Sequence, residues 1–299
     1  METNTISELR ETKELSEFIN KPLIKSPLRF PGGKSKAIKY IMPLVPDFDE
    51  YREPLVGGGS LFFALHLKFP EKRYWINDID PNLYAFWKSC RDSPEELVAA
   101  INELKKRYTN GKKLYSFLLS VRNTSKNTID IASRFFILNR ITFSGLIESG
   151  GYSEQAFKGR FTESSVDRIL LAAKALQGVK ITNKDFSKVL NPSGKNVFVF
   201  LDPPYYSNSE SKLYGKHGQL HTKFNHEVFF KELVACRHNW LVTYDNCSKI
   251  QTLFEKNRSE NWLKIAWRLR YGANNSSKKI AKIGNELFML NYRMKDYLQ

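Results

Sequence analysis

The spacing of apolar residues in this chain alternates between strand-like and helical rhythm, and the alternation predicts most of its elements. Arg52 to Val56 reads as a short buried strand that stops at Gly57. Leu61 to Phe69 has the spacing of a helix, and Tyr74 to Asn77 reads as a second strand that closes at Asp78. Strand, glycine turn, helix and strand make the βαβ unit of a parallel sheet. Beyond Pro81, residues 82–140 are patterned as helices and carry many Lys and Arg. Residues 142–163 set Gly145, Gly150, Gly151 and Gly159 among aromatic and polar residues, which predicts hairpins or loops. The α/β rhythm returns at Val179 to Thr182 and continues through Asn196 to Leu201, whose V-F-V-F-L run is the clearest buried strand. A helix over His226 to Cys236 follows, then strands over Trp240 to Tyr244, Leu263 to Leu269 and Glu286 to Asn291. The expected layout is an α/β sheet over residues 27–83 and 177–299, split by a mainly helical insert at 84–176. Residues 1–26 form an appended arm in which Leu9, Leu15, Phe18 and Ile19 can share one helix face.

Charge adds a statement about partners. The 299 residues carry 47 Lys and Arg against 31 Asp and Glu, a formal charge of +16. With 41% hydrophobic residues the chain can bury a sizeable core, which excludes a disordered chain. A basic, aromatic-rich protein most often meets a polyanion, nucleic acid being the commonest; a basic surface kept for solubility is the alternative. Cys90, Cys236 and Cys247 are widely spaced, no Cys-x-x-Cys occurs, and no histidine joins them at zinc-ligand spacing. No metal site is expected, and reduced intracellular thiols are the simplest account. The first 20 residues lack an apolar signal core and no run approaches a membrane span, so a soluble cytoplasmic protein is expected.

Three motifs carry candidate chemistry. In Glu53-Pro54-Leu55-Val56-Gly57-Gly58-Gly59-Ser60 a strand feeds a glycine turn, where a ligand can approach the backbone closely. Asp78 ends the next strand, 21 residues after Gly57, where a carboxylate can accept hydrogen bonds from a ribose. A dinucleotide, an adenosyl cofactor and a plain structural turn all remain open. The third glycine of the dinucleotide fingerprint is replaced by Phe62, and Glu53 suits a cationic ligand better than a pyrophosphate. Phe30-Pro31-Gly32-Gly33-Lys34-Ser35 invites a phosphate-loop reading, but Leu28 stands where that motif needs its first glycine. A glycine turn presenting an aromatic ring and a lysine to a ligand fits it better. Asp202-Pro203-Pro204-Tyr205 follows the buried strand directly. Two prolines fix a stiff turn at a strand's carboxyl end, where open α/β sheets bind ligands. A carboxylate, proline carbonyls and a ring face together suit a planar aromatic amine.

Phe30 to Lys34, Glu53 to Ser60, Asn77 to Pro81 and Asp202 to Tyr205 resemble, in this order, the DNA adenine-N6 methyltransferases of the Dam/DpnII type, the D12 class, in its α group. Asn139 to Leu146 (N-R-I-T-F-S-G-L) resembles that family's segment at the edge of its recognition domain, and the similarity covers about residues 27–293. The resemblance implies a Rossmann-like S-adenosylmethionine-dependent methyltransferase sheet with a DNA-recognition insert at 84–176. It implies that Phe30 and Lys34 contact S-adenosyl-L-methionine, with Phe30 standing where many relatives have Trp or Tyr. Gly57 and Gly59 would let the methionine moiety lie against the backbone, with Glu53 near its charge. Asp78 would hold the ribose, and Asp185 and Phe186 would bracket the adenine. Asp202 would lie between cofactor and target base.

The implied reaction transfers a methyl group to a flipped adenine in double-stranded DNA. Asp202 and Pro203 would accept the amine N–H groups, Pro204 would stiffen the turn and Tyr205 would stack on the base. Arg122, Lys126, Arg134, Arg140, Lys158, Arg160, Lys278 and Lys279 are the candidate DNA contacts, and Ser207 to Lys223 has the make-up of a lid. The implied role is Dam-like or restriction-modification, the latter with a cognate endonuclease, and a monomer suffices. The alternatives are an amino-methyltransferase acting on RNA or on cytosine N4, and a non-catalytic nucleic-acid-binding relative.

Overall fold

The computed structural model describes residues 4–5, 24–30, 33–122, 126–147, 150–206, 224–270 and 283–293. Eight strands form one sheet: β1 (Asn4–Thr5), β2 (Glu50–Glu53), β3 (Arg73–Asn77), β4 (Lys180–Thr182), β5 (Val197–Leu201), β6 (Asn239–Asp245), β7 (Leu263–Arg270) and β8 (Ile283–Leu290). Eleven α-helices occur among the described residues. Six precede or form the helical stretch: α1 (Ile38–Ile41), α2 (Ser60–Lys68), α3 (Pro81–Asp92), α4 (Pro94–Arg107), α5 (Gly111–Ser120) and α6 (Thr128–Ile141). The others are α7 (Glu154–Arg160), α8 (Glu163–Leu176), α9 (Ser187–Leu190), α10 (His226–Ala235) and α11 (Ser248–Asn257). The strand order is β1-β7-β8-β6-β5-β2-β3-β4. All neighbours run parallel except β8, which is antiparallel to both β6 and β7. The sheet is Rossmann-like, with one reversed strand inserted near its edge.

The V-F-V-F-L run is buried throughout because both faces of β5 are covered. Phe198 and Phe200 join the cluster that the sheet shares with α2 to α8, including Phe62, Phe63, Trp87, Phe136 and Leu176. Val197, Val199 and Leu201 face the opposite layer, with Phe229, Phe230 and Leu233 of α10 and Leu253 and Phe254 of α11. Each such side chain contributes roughly 1.5–3 kcal/mol by leaving water. The helices of residues 81–176 are thus packed into the same core as one face of the sheet.

Element boundaries departed from expectation where local chemistry cuts across hydrophobic pattern. β2 ends at Glu53 rather than Val56, because Pro54 has no N–H for the ladder. Residues 142–163, expected as hairpins or loops, contain the helix α7, started by the Ser153 hydroxyl accepting from the Ala156 N–H at 3.2 Å. The one antiparallel bridge among the described residues there joins Thr142 to Tyr152. The expected helix face of Leu9, Leu15, Phe18 and Ile19 lies outside the described residues, although Asn4–Thr5 pairs with β7.

The topology decides where chemistry can gather. Parallel strands bring the residues after β2, β3, β5 and β6 to one edge of the sheet. Because β8 runs the other way, its early residue Glu286 reaches that same edge, directly opposite Asp245.

Candidate active site

At the end of β2 the chain turns through Gly57 at φ 47° and Gly59 at φ 66°, left-handed values that side chains resist. The Gly57 N–H donates to Asp78 Oδ2 at 3.1 Å, and the Asp80 N–H donates to Oδ1 at 3.1 Å. The Trp87 indole N–H holds the Gly57 carbonyl at 3.1 Å. Phe30 closes the turn from outside: a Cβ added to Gly57 would stand 2.9 Å from its ring. The glycines therefore admit the ring as well as the turn.

Asn139 places Phe30. Its side-chain oxygen accepts from the Arg29 N–H at 2.8 Å, and its amide donates to the Arg29 carbonyl at 2.7 Å and to the Gly145 carbonyl at 3.2 Å. Arg29 returns the contact, donating to the Arg140 and Thr142 carbonyls at 3.3 and 3.2 Å. Arg140 in turn donates to the Pro27 carbonyl. The Asn139 to Leu146 segment is therefore a buttress for residues 27–30.

Asp202 leaves β5 with its Oδ1 against two partners, Lys34 Nζ at 2.7 Å and the donating Thr243 hydroxyl at 2.6 Å. Lys34 is buried and its ammonium lies 4.8 Å from the centre of the Tyr205 ring. The Tyr205 hydroxyl donates to Glu286 Oε2 at 2.8 Å, and the Tyr206 N–H donates to Asp245 Oδ1 at 3.0 Å. Pro203 is buried and Pro204 partly so, between these fixed points. Glu53, buried and accepting from the Tyr51 hydroxyl at 2.8 Å, has its carboxyl pushed up to about 8. Burial is the main cause, and the Tyr51 bond opposes it; the nearby charges of Asp202 and Asp78 add to it. Asp78 is pushed up to about 7, again chiefly by burial, with the Asp80 charge adding and backbone N–H bonds opposing. Glu286 is also raised, by burial against the opposing Lys34 charge and Tyr205 bond.

The structure thus gathers Phe30, Lys34, Glu53, Gly57, Gly59, Asp78 and Asp202 to Tyr205 at one sheet edge. Asp185 is exposed and its Oδ1 accepts from the Ser187 N–H at 3.0 Å and hydroxyl at 2.6 Å, starting α9. Phe186 packs among Phe224 and Phe229, with ring centres 5.8 and 5.3 Å away. Sequence reasoning missed Thr243, Asp245 and Glu286. The signal available was polar residues at alternate positions in the otherwise apolar W-L-V-T-Y-D, and one carboxylate heading E-L-F-M-L.

Two expected DNA contacts need correction. Arg134 is 8% and Arg140 3% exposed, and both serve backbone carbonyls. Arg134 donates to the carbonyls of Val121 (3.2 Å) and Arg122 and to the Asn82 side chain (3.2 Å). Burial beside Arg168, Arg29 and Arg160 pulls the Arg140 guanidinium down to about 9. Arg122 is partly buried, whereas Lys126, Lys158 and Arg160 are exposed, Lys158 beside Glu154 at 3.2 Å. Lys278, Lys279 and the segment Ser207 to Lys223 lie outside the described residues. Arg140→Ala is therefore expected to lower the unfolding free energy by about 1–3 kcal/mol, from the unmet buried carbonyl of Pro27. Urea denaturation checks this, and the salt dependence of DNA affinity should stay unchanged. Arg160→Ala should do the reverse, leaving stability alone and reducing the salt slope by about one.

Fold and site together describe an α/β protein whose candidate site lies at the carboxyl edge of its sheet, around a glycine turn and an Asp-Pro-Pro-Tyr loop. Residues 30–270 match the family model of the D12 class N6 adenine-specific DNA methyltransferases, and the chain belongs to that family. A type II methyltransferase of Lactococcus lactis subsp. cremoris, M1.LlaDCHI, is 28% identical over 226 residues, 71% of this chain and 74% of that protein. The type II methyltransferase M.MjaIII of Methanocaldococcus jannaschii is 28% identical over 200 residues, 61% and 69% of the two chains. A DNA adenine methylase of Vibrio cholerae is 28% identical over 187 residues, 60% of this chain and 64% of that one. The protein is a DNA adenine methyltransferase and its methyl donor is S-adenosyl-L-methionine. The donor set fits that group: a turn without side chains, a carboxylate beside it for hydroxyls, and a buried Glu53 for positive charge. Among the described residues no helix is long and apolar enough to cross a membrane.

Proposed function

We propose that Asp202 to Tyr205 hold the flipped adenine of a specific duplex site while the Gly57 turn and Asp78 hold the methyl donor. The observation that carries this reading is the convergence of the two motifs, with Asp202 joined to Lys34 at 2.7 Å beside the turn. When bound, S-adenosylmethionine supplies an electrophilic methyl group on a sulfonium. The adenine N6 lone pair is delocalised into the ring and is a poor nucleophile. Asp202 accepting from one N6–H and the Pro203 carbonyl accepting from the other would localise that lone pair and orient it. Lys34 and Thr243 both use Oδ1 of Asp202, so Oδ2 is the oxygen assigned to N6. The Tyr205 ring would stack on the base. Phe30 and Lys34 border the donor, Gly59 admits its methionine moiety, and Asp185 with Phe186 bound its adenine.

The insert at 84–176 would read the site and grip phosphate, through Arg122, Lys126, Lys158 and Arg160, with Lys278 and Lys279 adding to the grip. A restriction-modification role with a cognate endonuclease, or a Dam-like role, fits relatives that are type II methyltransferases and DNA adenine methylases. A monomer working in the cytoplasm is sufficient for either. The test is transfer of a labelled methyl group to duplex DNA and to RNA, followed by nucleoside analysis. N6-methyladenine in DNA is expected; label in RNA or in N4-methylcytosine would overturn the assignment.

A further inference from the structure

Beneath the Asp202 to Tyr205 loop lie three polar residues within the buried stretches of β6 and β8. Thr243 is fully buried, and Asp245 and Glu286 are 8% and 1% exposed. Asp245 and Glu286 face each other directly across the β6–β8 ladder. Like charges in that relation destabilise a sheet, and burying a carboxylate is costly in itself. Sheet stability alone would place Val or Thr there. Each of the three instead bonds the loop above it: Thr243 to Asp202, Asp245 to the Tyr206 N–H, Glu286 to the Tyr205 hydroxyl.

We propose that Glu286 is a positioning residue for methyl transfer, anchoring the Tyr205 hydroxyl so that the ring presents a fixed face to the target base. A tyrosine held only at its Cα swings about two side-chain torsions. Anchoring the far end removes that freedom. The loop is then held at three points by one rigid ladder: the carboxylate that orients the amine, the ring that receives the base, and the backbone beyond it. Thr243 and Glu286 come from adjacent strands whose register is fixed, with Thr243 opposite Phe288 and Asp245 opposite Glu286. Carboxylate and ring therefore keep their mutual geometry. Positioning of this kind matters because a displacement of about 1 Å at a reacting centre can cost roughly 10²-fold in rate.

The inference rests on the assignment of Asp202 to Tyr205 to the base. Its test is a double-mutant cycle on single-turnover methyl transfer, using Glu286→Ala, Tyr205→Phe and the pair. Glu286→Ala is expected to slow transfer by about 10- to 100-fold, with donor and duplex affinities within about threefold of wild type. Glu286→Gln, which keeps an acceptor for the hydroxyl, should recover most of that loss. In the Tyr205→Phe background the same Ala substitution should cost less than about threefold more, because the bond is already gone. Equal losses in both backgrounds, or a Gln variant as slow as Ala, would overturn the proposal. If Glu286→Ala does not fold, Tyr205→Phe alone decides: slowed transfer at unchanged affinity supports the anchor, and a wild-type rate sinks it. A wild-type enzyme that leaves no N6-methyladenine in DNA would instead overturn the assignment beneath.

Discussion

Asp202→Ala is expected to lower single-turnover methyl transfer by about 10²- to 10³-fold, the size of effect that follows removal of a preorganised hydrogen-bond partner of the reacting group. The substitution deletes the acceptor that orients the amine and also leaves Lys34, 2.7 Å away and buried, without its carboxylate partner. Breaking a buried pair costs roughly 3–5 kcal/mol, and the part exposure of Asp202 reduces that figure. Unfolding must therefore be followed in parallel. Duplex affinity should change by less than about threefold, because most of it comes from phosphate contacts elsewhere. Asp202→Asn keeps an acceptor for Thr243 and serves as the folded control. An Asp202→Ala enzyme retaining more than a few per cent of wild-type transfer would end the assignment of Asp202 as the group that meets the amine.

The parts of this site that could be read from sequence are those built from contiguous residues. The glycine turn, Asp78 and the Asp-Pro-Pro-Tyr loop each follow a strand that its own apolar run announces, so order along the chain implied proximity in space. Glu286 has only a weak local signal, a carboxylate at the head of an apolar run, and nothing there points to Tyr205. It reaches Tyr205, 81 residues earlier, only because β8 is reversed and inserted beside β6. Strand insertion is settled by packing on both faces, and no window of sequence encodes it. Arg140 shows the opposite failure. An arginine near a recognition segment has the same composition whether it faces phosphate or buried carbonyls. What decides is the docking of residues 27–30 onto residues 139–145, more than 100 positions away. Pro54 is legible in the sequence: its missing N–H sets the end of β2 at Glu53, against an apolar pattern that runs on to Val56.

Cofactor affinity should depend on pH, with a sign that the site's carboxyls fix. Glu53 and Asp78 stand at about 8 and about 7, both raised mainly by burial, so at neutral pH Glu53 is mostly protonated and Asp78 is divided between its two forms. The sulfonium favours the Glu53 anion and the ribose hydroxyls, by donating, favour the Asp78 anion, so binding lowers both values and drives protons off. Affinity for S-adenosylmethionine should therefore climb from pH 6 to 8 by up to about tenfold per pH unit for each proton released, then level off. Titration calorimetry in two buffers of different ionisation enthalpy counts those protons directly. S-adenosylhomocysteine carries the same amine and carboxylate without the sulfonium, so it should release fewer. Glu53→Gln should flatten the rise between pH 7 and 8 and leave the lower part to Asp78. The same linkage acts on the free protein. Carboxyls whose folded values lie above the unfolded ones support folding most below about pH 4, and that support is lost as the pH climbs through 7 and 8. The rise in melting temperature on adding S-adenosylmethionine should therefore be larger at pH 8 than at pH 6. Proton uptake on binding, or an affinity flat across this range, would show that these two carboxyls do not meet the donor as anions.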